Sequence, residues 1–180
     1  MKKLIVLTAL AIAMMIASSS VLVAQTTANG TLTVQAQLTS SMTLVFNSDG
    51  AGVPLSSGAG TNAATLNFGN VSAYGPLTAN VGRSLVVGTS FTVNTPVDVV
   101  VNKANVTSAN YTLTAQLGAA PAGASTWQVG GVGINNATAT TITASGAYAS
   151  SVQEQIAITV PWATTATSLN NTIAFVATAN

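Results

Sequence analysis

Residues 29–38 read NGTLTVQAQL, and their apolar and polar side chains alternate without a break. Leu32, Val34, Ala36 and Leu38 fall on one side of an extended chain, and Thr31, Thr33, Gln35 and Gln37 on the other. Successive side chains of a strand point to opposite faces, so a period of two demands one buried and one solvated face. The pattern returns as YTLTAQL at residues 111–117, with Tyr111, Leu113, Ala115 and Leu117 on the inward side. It returns again over residues 152–160, where Ile156, Ile158 and Val160 share a face and Pro161 ends the run. After residue 24 no apolar residues recur at spacings of three and four, so no amphipathic helix is expected.

Further strands are expected at residues 42–46 (MTLVF), 64–70 (ATLNFGN), 84–93, 97–101 and 172–178 (TIAFVAT). A bulged hairpin is expected around Gly130-Gly131, with a weaker Thr-rich strand at 137–143. Gly88 reads as a bulge inside one long strand, and Asn94-Thr95-Pro96 as a turn ending it. Residues 47–63, rich in Gly, Ser and Asn, and residues 118–124 read as loops. Roughly nine or ten short strands spaced by turn signals describe an all-β chain folded as a single β-sandwich.

The first residues have a different character. Lys2 and Lys3 precede an apolar run from Leu4 to Ile16 that only Thr8 interrupts, followed by three serines and VLVAQ. That is the layout of a secretion signal, with cleavage expected after Ala24. The run is shorter than the roughly 20 residues that span a bilayer, so the membrane is a partner only during export. The expected organisation is a signal peptide at 1–24, an N-terminal arm at 25–38 and a sandwich domain at 39–180. The expected location is secreted and extracellular.

Past the signal, the ionisable side chains are Arg83, Lys103, Asp49, Asp98 and Glu154. Charged residues make up 4% of the chain, where about a quarter is usual. A surface so poor in charge has little colloidal repulsion and favours association. It also excludes the clustered Lys and Arg that a nucleic-acid partner needs. There is no cysteine, so disulfides do not hold the exported domain together.

Composition narrows the chemistry further. With no His and no Cys, the usual nucleophile–base pairs and transition-metal ligand sets are not available, and no catalytic, cofactor or metal residues are assigned. Asp49, Asp98 and Glu154 are the only carboxylates for acid–base work, and they read as solvated turn and edge charges in separate elements. Asn47-Ser48-Asp49-Gly50 carries oxygen ligands suited to Ca²⁺, and an Asx turn explains the same residues. Trp127, Trp162, Tyr74 and Tyr148 are candidates for a sugar-stacking platform or for ordinary packing. Six Asn-x-Ser/Thr sites occur, at Asn29, Asn70, Asn105, Asn110, Asn136 and Asn170.

An alternating strand after a signal, then LNFGNVSAYG at 66–75, then LNNTIAFVATAN at 169–180, resembles secreted pilus and coat subunits. The first two features are similar to fimbrial subunits and the spore coat protein U group, and the last to camelysin-like biofilm fibre proteins. The cysteine pair of many fimbrial subunits is absent, and Thr167 and Ala179 stand where those have Gly and Tyr. The resemblance implies an Ig-like or jelly-roll sandwich that lends its N-terminal strand to a neighbour. The expected function is a filament subunit whose partners are other copies of itself and a host or neighbouring-cell surface. The assembly strand would be Leu32, Val34, Ala36 and Leu38, and the acceptor-groove wall Ile173, Phe175 and Ala177. Two alternatives stay open: residues 31–38 pair within their own domain, or the chain is a monomeric module that binds glycan or protein through loops such as 47–63.

Overall fold

A computed structural model describes residues 30–165 and 168–180. Nine strands carry the fold: β1 Ser41–Ser48, β2 Gly82–Val86, β3 Ser90–Ala104, β4 Asn110–Leu117, β5 Thr126–Val129, β6 Val132–Ile134, β7 Thr140–Ala147, β8 Ser151–Pro161 and β9 Ile173–Ala179. They form two antiparallel sheets, one in the order β1-β3-β8-β5-β6 with β2 also on β3, the other β7-β4-β9. The sheets pack face to face as a β-sandwich, the architecture that the alternating patterns imply.

The core follows the period of two. β3 buries Phe91, Val93, Val97, Val99 and Val101, and β4 buries Tyr111, Leu113, Ala115 and Leu117 against them. Thr95 shares the inward face of β3 and is fully buried. Its hydroxyl accepts the Val53 N–H at 2.8 Å and donates to the Asn80 carbonyl at 3.1 Å, so no polar atom is stranded.

Three expected elements differ. Gly88, with φ +76°, sits in the turn between β2 and β3 and not in a bulge, because a chain reversal needs the left-handed conformation there. Residues 94–96 do not turn: β3 runs straight through Pro96. The ring is tolerated because Pro96 lies at a junction, after the β2 partners end at Asn94 and before the β1 partners begin at Val97. On the β8 side its partner Gln155 gives its carbonyl to the Gly130 N–H, so no ladder donor is required of Pro96. Residues 64–70 form no strand. They touch their surroundings through the single bridge Ser57–Thr65, although Leu66 and Phe68 do pack on the core.

The chain divides into two compact units, Met1–Gln37 and Leu38–Asn180. In the first, the described residues 30–37 have no regular secondary structure and are exposed. The expected secretion signal lies outside the described residues. No helix among the described residues is long and apolar enough to cross a membrane.

Candidate functional site

The sandwich has two ends. At the root end β1 begins, with Ser41 opposite Ala104 at the end of β3, and β4 starts at Asn110 a few residues later. Thr39 and Ser40 are fixed there: Asn105 Nδ2 donates to the Thr39 carbonyl at 3.1 Å, and Ser40 Oγ donates to the Asn105 carbonyl at 2.6 Å. At the opposite, tip end lie the β2–β3 turn, the end of β8 at Pro161, and Leu117 paired with Ile173. Trp162 joins this end through its N–H to the Thr89 carbonyl at 2.9 Å.

Among the described residues β9 is an edge strand, paired with β4 on one side only. The ladder shows which of its groups are spent. The Thr172 carbonyl accepts the Gly118 N–H at 2.8 Å, and the Asn180 N–H donates to the Asn110 carbonyl at 3.1 Å. Even-numbered residues therefore turn their amides toward β4. Backbone direction alternates along an antiparallel strand, so the N–H and C=O of Ile173, Phe175 and Ala177 face the open edge. Their side chains point into the sandwich, where Ile173, Phe175 and Ala177 pack on the core.

Beside that edge runs a groove of about 1240 Å³. One wall is β9 with the residues leading into it, among them Leu169 and Ile173; the other is residues 62–74, which present Leu66 and Phe68. The floor is the inner face of the larger sheet, including Phe91, Val97, Ile156 and Ile158. A second space of about 550 Å³ shares Phe46, Asn62, Ile173 and Phe175 with it and continues past Met42 and Leu44 toward the root end. Phe46 and Phe175 meet edge to face at 5.2 Å between the two spaces. None of the lining residues is charged. The smaller sheet has three strands, and residues 64–73 cover the core without joining a ladder.

The structure thus brings the expected wall residues Ile173, Phe175 and Ala177 to one free edge. The expected assembly strand is exposed: Leu32 keeps 88% of its surface, Val34 80% and Leu38 81%, and Ala36 is exposed as well. Residues 31–38 form no strand. The groove floor was not foreseen, because it is assembled from β3 and β8, far apart in sequence. The usable signal was the alternation of Leu66 and Phe68, which marks a segment with one buried side.

Other expected groups are distributed differently. Glu154 is not a solvated edge charge: it shares the inward face of β8 with Ile156 and is buried. Burial raises its pKa, opposed by the Thr143 hydroxyl that donates to Oε1 at 3.3 Å. Asp49 and Asp98 meet on the outer face, where Gln153 pairs with Asp98 in register and donates to Asp49 Oδ2 at 2.6 Å. That bond and the Ala51 N–H on Oδ1 at 2.7 Å, the latter an Asx turn, hold the Asp49 carboxyl below its usual pKa. The three carboxylates therefore do not converge on one site. Nor do the four aromatics form a platform. Trp127 is buried, Tyr148 packs on Tyr111 at 5.4 Å under the Lys103 ammonium, and only Tyr74 and Trp162 share an exposed edge-to-face contact, at 5.8 Å. A comparison with family models, curated proteins and solved structures finds no match to this chain.

Proposed function

We propose that the chain is a structural subunit of an extracellular filament, polymerised when residues 31–38 of one copy complete the open sheet of the next. The observation that carries this reading is a pair of complementary vacancies. The arm has four exposed apolar side chains, and β9 has amides that pair with none of the described residues, above an apolar, uncharged groove. Burying an aliphatic side chain is worth about 1.5–3 kcal/mol, so four supply on the order of 5–10 kcal/mol, with Ala36 giving least. Main-chain bonds along β9 would add affinity and fix direction, as in other cases of strand addition.

Val34→Asp tests the reading, because a charge carried into the groove without a partner costs several kcal/mol. Filaments in negative stain and a heat-sensitive ladder on denaturing gels are expected from the unmodified chain, and monomers with an unchanged melting temperature from the variant. Normal filaments from Val34→Asp would sink the proposal. The exposed Tyr74–Trp162 pair favours a second reading, a monomeric module that stacks on a glycan. Its signature is a monomer that binds oligosaccharide and loses binding with Trp162→Ala.

A further inference from the structure

The positions of the arm root and the groove fix more than the fact of exchange. We infer that the donated strand enters its acceptor at the tip end, runs antiparallel to β9, and sets Leu38 opposite Ile173, Ala36 opposite Phe175 and Val34 opposite Ala177. This rests on the filament reading and specifies the occupant of the groove as residues 31–38 of a second copy.

Direction follows from topology. The arm leaves its own sandwich at the root end, where Thr39 and Ser40 are tied to Asn105. The larger of the two spaces reaches the tip end, where Tyr74, Pro161, Trp162 and Leu169 line it. A strand entering there leads with Thr31 and leaves Leu38 at the mouth, so from Thr31 to Leu38 it runs toward the tip. β9 runs the other way, from Ile173 beside Leu117 to Ala179 beside Tyr111. The two are antiparallel. Only Thr39 and Ser40 separate Leu38 from β1, a span of about 7 Å at roughly 3.3 Å per residue. The root end of one copy must then abut the tip end of the next. That contact covers Val86, the last residue of β2, and Val87, in the β2–β3 turn, which are 61% and 78% exposed on a single copy. The root and tip are different surfaces, so the contact is head to tail and extends into an open fibre rather than a closed dimer.

Register follows from the free amides and from side-chain size. Ile173, Phe175 and Ala177 offer both their open-edge backbone groups and their inward side chains, so they pair with the inward residues of the donor. Registers two residues apart satisfy that parity. Setting Leu38 opposite Ile173 places the smallest donor side chain, Ala36, against the bulky Phe175, and Val34 against the small Ala177. A slip of two residues in one direction sets Val34 against Phe175. A slip in the other sets Leu38 there, where Phe46 already crowds the ring at 5.2 Å. Alternating large and small residues across facing positions is what packs a core without strain.

The chain has no cysteine, so cross-linking reads the register directly. Outward residues form the closer, non-hydrogen-bonded pairs, with Cα atoms about 4.5 Å apart, within the range a disulfide accepts. In the inferred register Gln35 faces Val176, which is 55% exposed, and Gln37 faces Ala174. Full-length chains carrying Gln35→Cys with Val176→Cys, or Gln37→Cys with Ala174→Cys, are assembled, oxidised and boiled in detergent without reductant. Both pairs should give a covalent ladder at roughly tenfold the yield of the slipped pairs Gln35→Cys with Ala174→Cys or with Thr178→Cys. Filaments that link best through a slipped pair overturn the register. Filaments linked through Gln35→Cys with Val176→Cys together with Gln37→Cys with Thr178→Cys overturn the antiparallel direction. Filaments that link through none of these pairs overturn the placement beside β9. All three results leave the filament reading standing. If the unmodified chain forms no filaments, the reading itself falls and the inference with it.

Discussion

Glu154 faces inward from β8, beside Thr143, where its charged form is desolvated. Burial raises its pKa, so the folded chain keeps the proton over a range where the unfolded chain has released it. The stability this group contributes is present in full below the unfolded value of 4.5 and is lost as pH rises through the raised folded value. Glu154→Gln keeps the shape without the charge. Urea unfolding should show it level with the parent near pH 4 and more stable than the parent at pH 7. An equal difference at both pH values would refute the assignment. Asp49 acts in the opposite sense. Gln153 and the Ala51 N–H lower its pKa, so its contribution is present above 3.8 and fades as pH falls through the lower folded value. Packing gives the other residue-scale prediction. A Cβ on buried Gly146 would meet the Tyr111 ring, so Gly146→Ala should cost about 1–3 kcal/mol in the same unfolding experiment.

Among the elements, residues 66–73 stand apart because they cover the core without belonging to a strand. Leu66, Phe68, Val71 and Ala73 pack on the larger core cluster, yet this stretch is part of no ladder. Amide exchange should therefore be fast at Asn67, Gly69 and Asn70 in the monomer and slow at Val93, Val99 and Leu113. Equal protection across both sets would mean the segment is held as firmly as a strand. This segment also marks the limit of what the sequence discloses. β4 and β8 were legible because alternation is a local property of one strand, and both are long enough to show it. Residues 64–70 alternate equally well, but a strand also needs a neighbouring edge with free amides, and that is a fact about the whole sheet. Pro96 and Gly88 misled for the same reason: whether a proline stops a strand depends on who would have accepted its N–H. The inward place of Glu154 was readable from its even spacing with Ile156 and Ile158. The arm and the β9 face could be read from their own residues, whereas the floor of the groove needed β3 and β8 brought together.

At the scale of the whole molecule, charge is nearly absent, and that sets how the proposed filament must respond to solution conditions. Neither space of the groove is lined by a charged residue, and residues 31–38 contain none either. Past residue 24 the ionic groups are five in all, and each has a local partner or place. Arg83 donates to the Ser72 and Gly75 carbonyls at 3.0 Å, Lys103 donates to the Ser108 carbonyl, and Asp49 and Asp98 meet at Gln153. Association driven by such surfaces has no long-range steering for salt to screen. Filament growth should then change by less than about twofold between roughly 0.05 and 0.5 M sodium chloride, a range over which the Debye length falls several-fold. Sulfate should act differently, because it strengthens apolar burial by exclusion from the protein surface, and growth should quicken as it is added. Light scattering of the full-length chain in the two salts makes the comparison directly. A steep loss of growth in sodium chloride would mean that ionic contacts, and not the apolar groove and the amides of β9, hold the copies together.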